Sequence, residues 1–432
     1  MDVEAPNIGA SARPPTPPLE SSLPEDEEPA TPPPEKVPLI TRKVRLFPTP
    51  AQQRILDKWF GAARWTYNAC VAALQARRCS PNKCAFRAHC INKGAPQLEG
   101  HDWALEVPFD VRDEAMADLV KARKAHAAKE RVQKKTLPAT YKFRSKRRDP
   151  QQCITIRRRH WGRGRGAYAA LFGVTREGGL RMRAAEELPL EMDNDLRITR
   201  DQLGHVYVCY CVPRPTHPPV PGNRVISLDP GVRTFLTGYD PDGRLVEIGS
   251  GDITRVVRLL VQADKVQSKE KDKKHRSRRR QLRRARLRIF ARARNLVDEV
   301  HRKTCKFLTA TYENILLPQF ESSRMVPRGA RRIGCKTARQ MMTWAHYRFR
   351  EMLITKASQR VGCHVVICDE AYTSKTCGRC GKIHATLGGA KVFTCPACGF
   401  CLGRDVNGAR NILLRWMMQP AQQELVQTNV GA

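Results

Sequence analysis

Residues 372–416 read YTSKTCGRCGKIHATLGGAKVFTCPACGFCLGRDVNGARNILLRW. Two residues separate Cys377 from Cys380 and Cys395 from Cys398; fourteen residues separate the pairs, and Gly381 and Gly399 each follow a pair directly. Two such knuckles can bring four thiolates to the corners of a tetrahedron, and the glycines allow the tight turns whose amides face the sulfurs. The spacing predicts one structural zinc ion with no open position for substrate. A redox pair or an iron–sulfur cluster is a less natural use of it. Directly behind the second knuckle, GRDVNGARNILLRW reads as a helix with Asp405 at its start, where the plain role of an acid is N-capping.

Upstream of the ribbon, HVVICDEAYTSKTC (364–377) is a strand running into a loop. Asp369 and Glu370 point to opposite faces if the strand persists, so only one of them can serve a given site. Residues 337–361 form a helical pattern with Met342, Ala345, Phe349, Met352 and Lys356 on one face, which is expected to be core. NILLPQF (314–320) is a buried strand. RVISLDP (224–230) is an apolar strand ending in Asp229, with Gly231 for the turn and TFLTGYD as the returning strand. A strand-end aspartate taken alone is a turn former or a cap. One acid ending the first strand, one preceding the ribbon and one opening the last helix make a different set. Three carboxylates on rigid elements can hold two Mg²⁺ ions for in-line attack of water on a phosphodiester.

Charge supplies the partner. The 432 residues carry 77 Lys+Arg against 42 Asp+Glu, a net +35. Such an excess calls for a polyanion, with nucleic acid ahead of an anionic membrane. No apolar run is long enough for a membrane span and no signal-peptide core opens the chain, so sixteen cysteines point to thiols or zinc rather than to disulfides. Residues 1–36 sum to −6, leaving +41 for the rest. Their PPTPP and TPPP runs read as a disordered acidic tail. Between Asp252 and Leu308 lies a long helical pattern, within which Lys265 to Lys303 holds 17 Lys+Arg and four acids. Like charges at this density repel one another on an ordinary helix face, which favours phosphate contact and is compatible with nuclear import.

The first half is mixed. LITRKVRLFPTP is a strand ending at a proline turn. AQQRILDKWFGAARWTYNACVAAL (51–74) places Ile55, Trp59, Ala63, Tyr67 and Val71 on one buried face. A cysteine-rich loop, CSPNKCAFRAHC (79–90), follows, its irregular spacing favouring free thiols over a second metal site; a second helix runs from Val111 to Val132. The basic, aromatic-interleaved segment 134–160 suits nucleic-acid contact, LRITRD and HVYVCYCVP are strands, and PRPTHPPVPG (213–222) is a boundary.

LDPGVRTF, YTSKTCGRCG, CPACG and RDVNGARNIL, together with KVRLFPTPAQQRILDKWFGAARWTYN, resemble the transposon-encoded TnpB (OrfB) nucleases and, more closely, Fanzor, their eukaryotic and viral relatives; the resemblance spans roughly residues 40 to 415. It implies an α/β multidomain chain: a small WED-like β-barrel with an inserted helical REC-like lobe, then an RNase H-like (RuvC) domain with an inserted four-cysteine zinc ribbon. The expected boundaries are a tail at 1–36, the nucleic-acid-binding half at 37–222, RuvC-like nuclease at 223–376, ribbon at 377–401, the last RuvC helix at 402–416 and a flexible tail at 417–432. The implied activity is RNA-guided, Mg²⁺-dependent DNA endonuclease action on a double-stranded target with a flanking motif. The implied partners are a guide RNA and DNA, with no membrane, and the expected state is a monomer in the nucleus.

Carried over residue by residue, the first and last RuvC acids match Asp229 and Asp405. The sequence departs at the middle acid. Bacterial relatives place a glutamate where this chain has Pro318, whereas Fanzor-like sequences carry one just ahead of YTSKTC, which is Glu370 here; Glu321 is the competing candidate. Asp229 would bridge two Mg²⁺ ions, with Glu370 and Asp405 holding one each, and Cys377, Cys380, Cys395 and Cys398 would hold one Zn²⁺. Two alternatives remain open: a catalytically impaired RNA-guided DNA-binding protein, and a guide-independent zinc-ribbon nucleic-acid-binding protein.

Overall fold

The computed structural model describes residues 37–133, 141–146, 152–162, 166–220, 222, 224–272, 274–327, 333–369, 372–388 and 390–418. In β1 (Leu39–Phe47), Val44 and Leu46 turn inward while Lys43 stays exposed. The proline turn that follows is a helix start. Thr49 and Gln52 form a capping box, with the Gln52 amide donating to Thr49 Oγ1 at 3.3 Å and the Thr49 amide to Gln52 Oε1 at 3.0 Å, and Pro50 fits the first helical position. The result is a single 26-residue helix, α1 (Pro50–Gln75), that buries Trp59, Ala63, Tyr67 and Val71 as the periodicity predicts.

The cysteine-rich segment expected as a loop is partly helical. Asn82 caps α2 (Lys83–Cys90), which buries Phe86 and Cys90 against α1 and α3 (Phe109–Gln133). Next come β2 (Gln152–Ile156), the one-turn α4 (Ala169–Phe172), β3 (Arg183–Ala184), β4 (Leu196–Arg200) and β5 (Val206–Pro213). The strands form an antiparallel sheet in the order β2–β4–β5–β1–β3. Ile154, Ile198, Val208 and Val44 turn toward Trp59, Phe60 and Phe172 to make its core.

Charge is buried where α3 begins. Asp113, 1% exposed, receives Arg87 at 2.7 Å and Arg157 at 3.1 Å, and its neighbour Asp110 receives Arg159 and His160. Burial alone would raise the Asp110 carboxyl, but hydrogen bonds from His160 and Arg159 and the charge of Arg157 outweigh it and hold the pKa below its ordinary value. Removing Asp113 takes the carboxylate from Arg87, whereas Arg157 keeps Asp110 and Glu114. Asp113→Ala is expected to cost about 3–5 kcal/mol in denaturant unfolding; a loss below about 1 kcal/mol would mean that solvent screens the network.

The second sheet is built from β6 (Val225–Pro230), β7 (Leu236–Tyr239), β8 (Leu245–Ile248), β9 (Asn314–Pro318) and β10 (His364–Cys368), in the order β10–β9–β6–β7–β8. The first three strands pair antiparallel, whereas β9 and β10 run parallel to β6. Between β8 and β9 the long helical pattern divides into α5 (Asp252–Lys271) and α6 (Arg276–Thr311). Every fully buried residue of α6 lies at Ala293 or beyond, so its arginine-rich first half stands in solvent.

After β9 come the short α7 (Ser322–Met325), α8 (Cys335–Trp344) and α9 (His346–Ala357). The single helix expected over 337–361 is broken at Ala345, whose φ of 51° is left-handed. The break changes which side chains share a face: Met342 is 56% exposed, while Phe349 is buried. After β10 come β11 (Val392–Thr394), β12 (Cys401–Gly403) and α10 (Arg404–Met417).

Alternation along β6 assigns each side chain a face of the sheet. Ile226 and Leu228 join Ile315, Leu317 and Val365 beneath α5, α6 and α9. Val225 and Ser227 turn the other way, as do Leu316 and Val366, toward Ile412, Leu413 and Trp416 of α10. Asp229 ends that second series, so the pleat aims it at α10. Among the described residues, no helix is long and apolar enough to cross a membrane.

Candidate nuclease and zinc centre

Beyond this apolar packing, two polar positions of β6 meet helix α10. Ser227, fully buried, lies 2.8 Å from the carbonyl of Ala409 and 2.9 Å from that of Tyr239; its single hydroxyl hydrogen serves this pair of acceptors and ties helix to sheet. Two residues on, the Asp229 carboxylate lies against the helix at Gly408, where an added Cβ would stand 2.7 Å from Asp229 Oδ2. A side chain at 408 would displace the carboxylate from where it stands, and glycine leaves it that room at the conformational entropy that glycine costs. Asp405 is one turn earlier on the same flank of α10 and exposed to solvent. Asp229 therefore lies against the helix whose first turn carries Asp405.

Glu370 lies outside the described residues. Strand β10 ends at Cys368, before either acid of the Asp369–Glu370 pair, and Asp369 is ion-paired with Arg415 of α10 at 3.1 Å. Pro318 pairs with Cys368 across the parallel strands, and the Gln319 amide donates to the Cys368 carbonyl at 3.1 Å. Glu321 stands just past this strand end, ahead of α7, where its carboxylate accepts a hydrogen bond from Gln319 at 3.0 Å.

Cys377, Cys380, Cys395 and Cys398 place all four sulfurs within 4.8 Å of one another, and among the described residues they are the only metal-ligand cluster of three or more groups. The Cys377–Cys398 and Cys380–Cys395 sulfurs are each 3.6 Å apart. A tetrahedral ion with Zn–S bonds near 2.3 Å has edges of about 3.8 Å, so the thiols fit zinc. Each knuckle closes alike: Gly381 donates to the Cys377 carbonyl at 3.0 Å and Gly399 to that of Cys395 at 3.1 Å, both glycines left-handed with φ of 74° and 70°. Amide donors, chiefly that of Cys398, lower the Cys395 thiol to about 6, favouring the thiolate a metal needs.

The motif following the knuckles also locks the ribbon to α10, which spacing alone did not reveal. Asn407 Nδ2 donates to the Thr376 carbonyl at 2.8 Å, Asn411 Nδ2 lies 2.7 Å from the carbonyls of both Thr373 and Thr376, and Arg410 donates to Gly378 at 2.5 Å. A Cβ at Gly378 would meet the Arg410 guanidinium, which would have to leave its hydrogen bond to make room. The helix carrying Asp405 and Gly408 is therefore held by the sheet on one side and by the first knuckle on another.

Three sequence profiles match the chain: a helix-turn-helix domain of the OrfB IS605 group over residues 39–81, "Probable transposase" of the same group over 207–325, and "Cas12f1-like, TNB domain" over 346–412. Residues 39–75 of the first are here a strand followed by one long helix. The chain is 30% identical to the transposase candidate A625R of Paramecium bursaria Chlorella virus 1 over 401 residues, covering 90% of each. It is 24% identical to the TnpB-like protein L770 of Acanthamoeba polyphaga mimivirus, over 87% of this chain and 73% of that one. A 78-residue stretch, 18% of each chain, is 36% identical to the CRISPR-associated endodeoxyribonuclease Cas12f1 of Sulfoacidibacillus thermotolerans.

Proposed function

We propose that this chain, which belongs to the TnpB (OrfB) family of transposon-encoded proteins, is a Fanzor-like RNA-guided DNA endonuclease that works as a monomer in the nucleus. The observation that carries the reading is the seating of Asp229 against Gly408, one helical turn from Asp405, on a helix locked to a four-thiolate centre. The strand order of the second sheet, three antiparallel strands with two parallel strands added beside the first, supports an RNase H-like assignment. The antiparallel sheet and helices of the first half suit the WED-like and REC-like parts.

Two Mg²⁺ ions bound by Asp229, Asp405 and Glu370 would supply Lewis-acid stabilisation of the phosphorane-like charge and a more acidic attacking water. Oxygen donors of this kind fit a hard divalent ion. The protein's own part is to hold Asp229 on a strand end, to hold Asp405 in the first turn of α10, and to present arginines to the nucleic-acid backbone. The exposed half of α6, with Arg278, Arg279, Arg280, Arg283 and Arg284, supplies such a rim. Glu370 is the third acid of the proposal and Glu321 its rival. Pro318, at the strand end where bacterial relatives carry a glutamate, is the observation that keeps a second reading: an RNA-guided DNA-binding protein whose cutting has been lost.

Two experiments bear on this. Sequencing the RNA that copurifies with the full chain is expected to give one discrete species; a random mixture would favour a guide-independent polycation. Gly408→Ala is expected to slow cleavage by about a hundredfold, the scale of a 1 Å misplacement at a reacting centre, while lowering stability by only about 1–3 kcal/mol. An unchanged rate would separate the Asp229 carboxylate from the chemistry.

A further inference from the structure

The turn that follows Asp229 is held as well. The chain leaves β6 through Pro230, Gly231 and Val232 and returns into β7, the Gly231 amide donating to the Phe235 carbonyl at 3.1 Å and the Phe235 amide to that of Ile248 at 2.9 Å. The left-handed break between α8 and α9 presses into this turn. Trp344 Nε1, on one side of the break, donates to the Val232 carbonyl at 2.9 Å, and the Trp344 carbonyl accepts from His301 Nε2 of α6 at 2.9 Å. His346, on the other side, is 5% exposed and lines a small cavity with Pro230 and Pro318.

Phe235, fully buried, is stacked between the two imidazoles, His301 and His346, each 5.0 Å away, with Trp344 at 4.9 Å and Phe349 edge-on at 5.0 Å. Burial holds both histidines neutral, lowering His301 to about 4 and His346 to about 3. Alanine is a strong helix former, so a left-handed Ala345 in the midst of a helical sequence costs on the order of 1 kcal/mol or more. The strain is offset by what the corner reaches.

We propose that the Trp344–Ala345–His346 corner is a clamp that positions Asp229, with Trp344 and His346 acting as positioning residues through the Gly231–Val232 turn. The proposal rests on the reading of Asp229 as catalytic. The two residues flank a backbone turn that begins directly after the carboxylate, while Gly408 closes the opposite side, so the acid is fixed from both faces of the sheet. Nothing in the clamp touches a reacting atom. Its effect is on where the carboxylate stands.

Trp344→Phe removes the indole N–H and keeps an aromatic ring in the core. In the full chain loaded with its RNA, amide hydrogen exchange over residues 230–236 is expected to quicken about tenfold while residues 364–368 are unchanged. Guide-dependent DNA binding should hold, cleavage should slow about tenfold, and the Mg²⁺ concentration for half-maximal cleavage should rise severalfold, which loss of core packing alone would not produce. His346→Phe, which preserves the stacking, gives the same readings if the tryptophan variant does not fold. Unchanged exchange, or faster exchange with cleavage and Mg²⁺ dependence at wild-type values, overturns the clamp while leaving Asp229 its role. A wild-type chain that binds its guide and target but does not cut overturns the catalytic reading, and the clamp's purpose with it.

Discussion

Asp229→Ala is expected to abolish guide-directed cleavage, by on the order of a thousandfold or more, and to leave guide-dependent DNA binding at its wild-type level. The magnitude follows from the several kcal/mol of transition-state charge stabilisation that a metal site contributes and from the tenfold in rate that each 1.4 kcal/mol represents. Binding is spared because Asp229 ends a strand on the face covered by α10, away from the arginines of α6. Asp405→Ala should behave alike with less effect on stability, since Asp405 is exposed. The third acid separates by the same assay. Glu370→Ala should be inactive and Glu321→Ala active, and the reverse result would move the site to the end of β9.

Loss of the ribbon should be the second large effect. Metal analysis of the purified chain should give about one zinc, absent from the Cys377→Ser, Cys395→Ser double variant. Structural zinc contributes about 10–16 kcal/mol of apparent binding energy in small zinc domains, far more than the small cluster around Phe393 can replace. Asn407, Arg410 and Asn411 fasten the first knuckle to α10, so its collapse should also loosen the helix that carries Asp405 and Gly408. Cleavage should then fall with the zinc, and exchange along α10 should rise. A zinc-free chain with wild-type cleavage would show that the ribbon does not support the site.

What the sequence disclosed was local in origin. The zinc ligands lie within 22 consecutive residues and are set by turn geometry, so spacing alone identifies them. The start of α1 was likewise written into Thr49, Pro50 and Gln52. Relations between distant segments stayed hidden. That Gly408 leaves room for Asp229, 179 positions earlier, cannot be seen from either stretch alone. The break at Ala345 runs against helix propensity and is imposed by burial of Trp344 and His346 around Phe235, which no periodicity records. The α2 helix was hidden by its cysteines and its asparagine, which suggested a loop although Asn82 is the cap.

The claim at the centre is that base pairing with a bound RNA directs Mg²⁺-dependent cutting at the Asp229–Asp405 site. Its most direct test is to load the full chain with RNA whose targeting segment has been replaced, and to map the cuts on DNA carrying the matching sequence beside randomised flanks. Cutting is expected to move to the new match, to require Mg²⁺ and to disappear in Asp229→Ala. Cutting that ignores the replaced segment, or matched and bound DNA left whole by the wild-type chain in Mg²⁺, would contradict it.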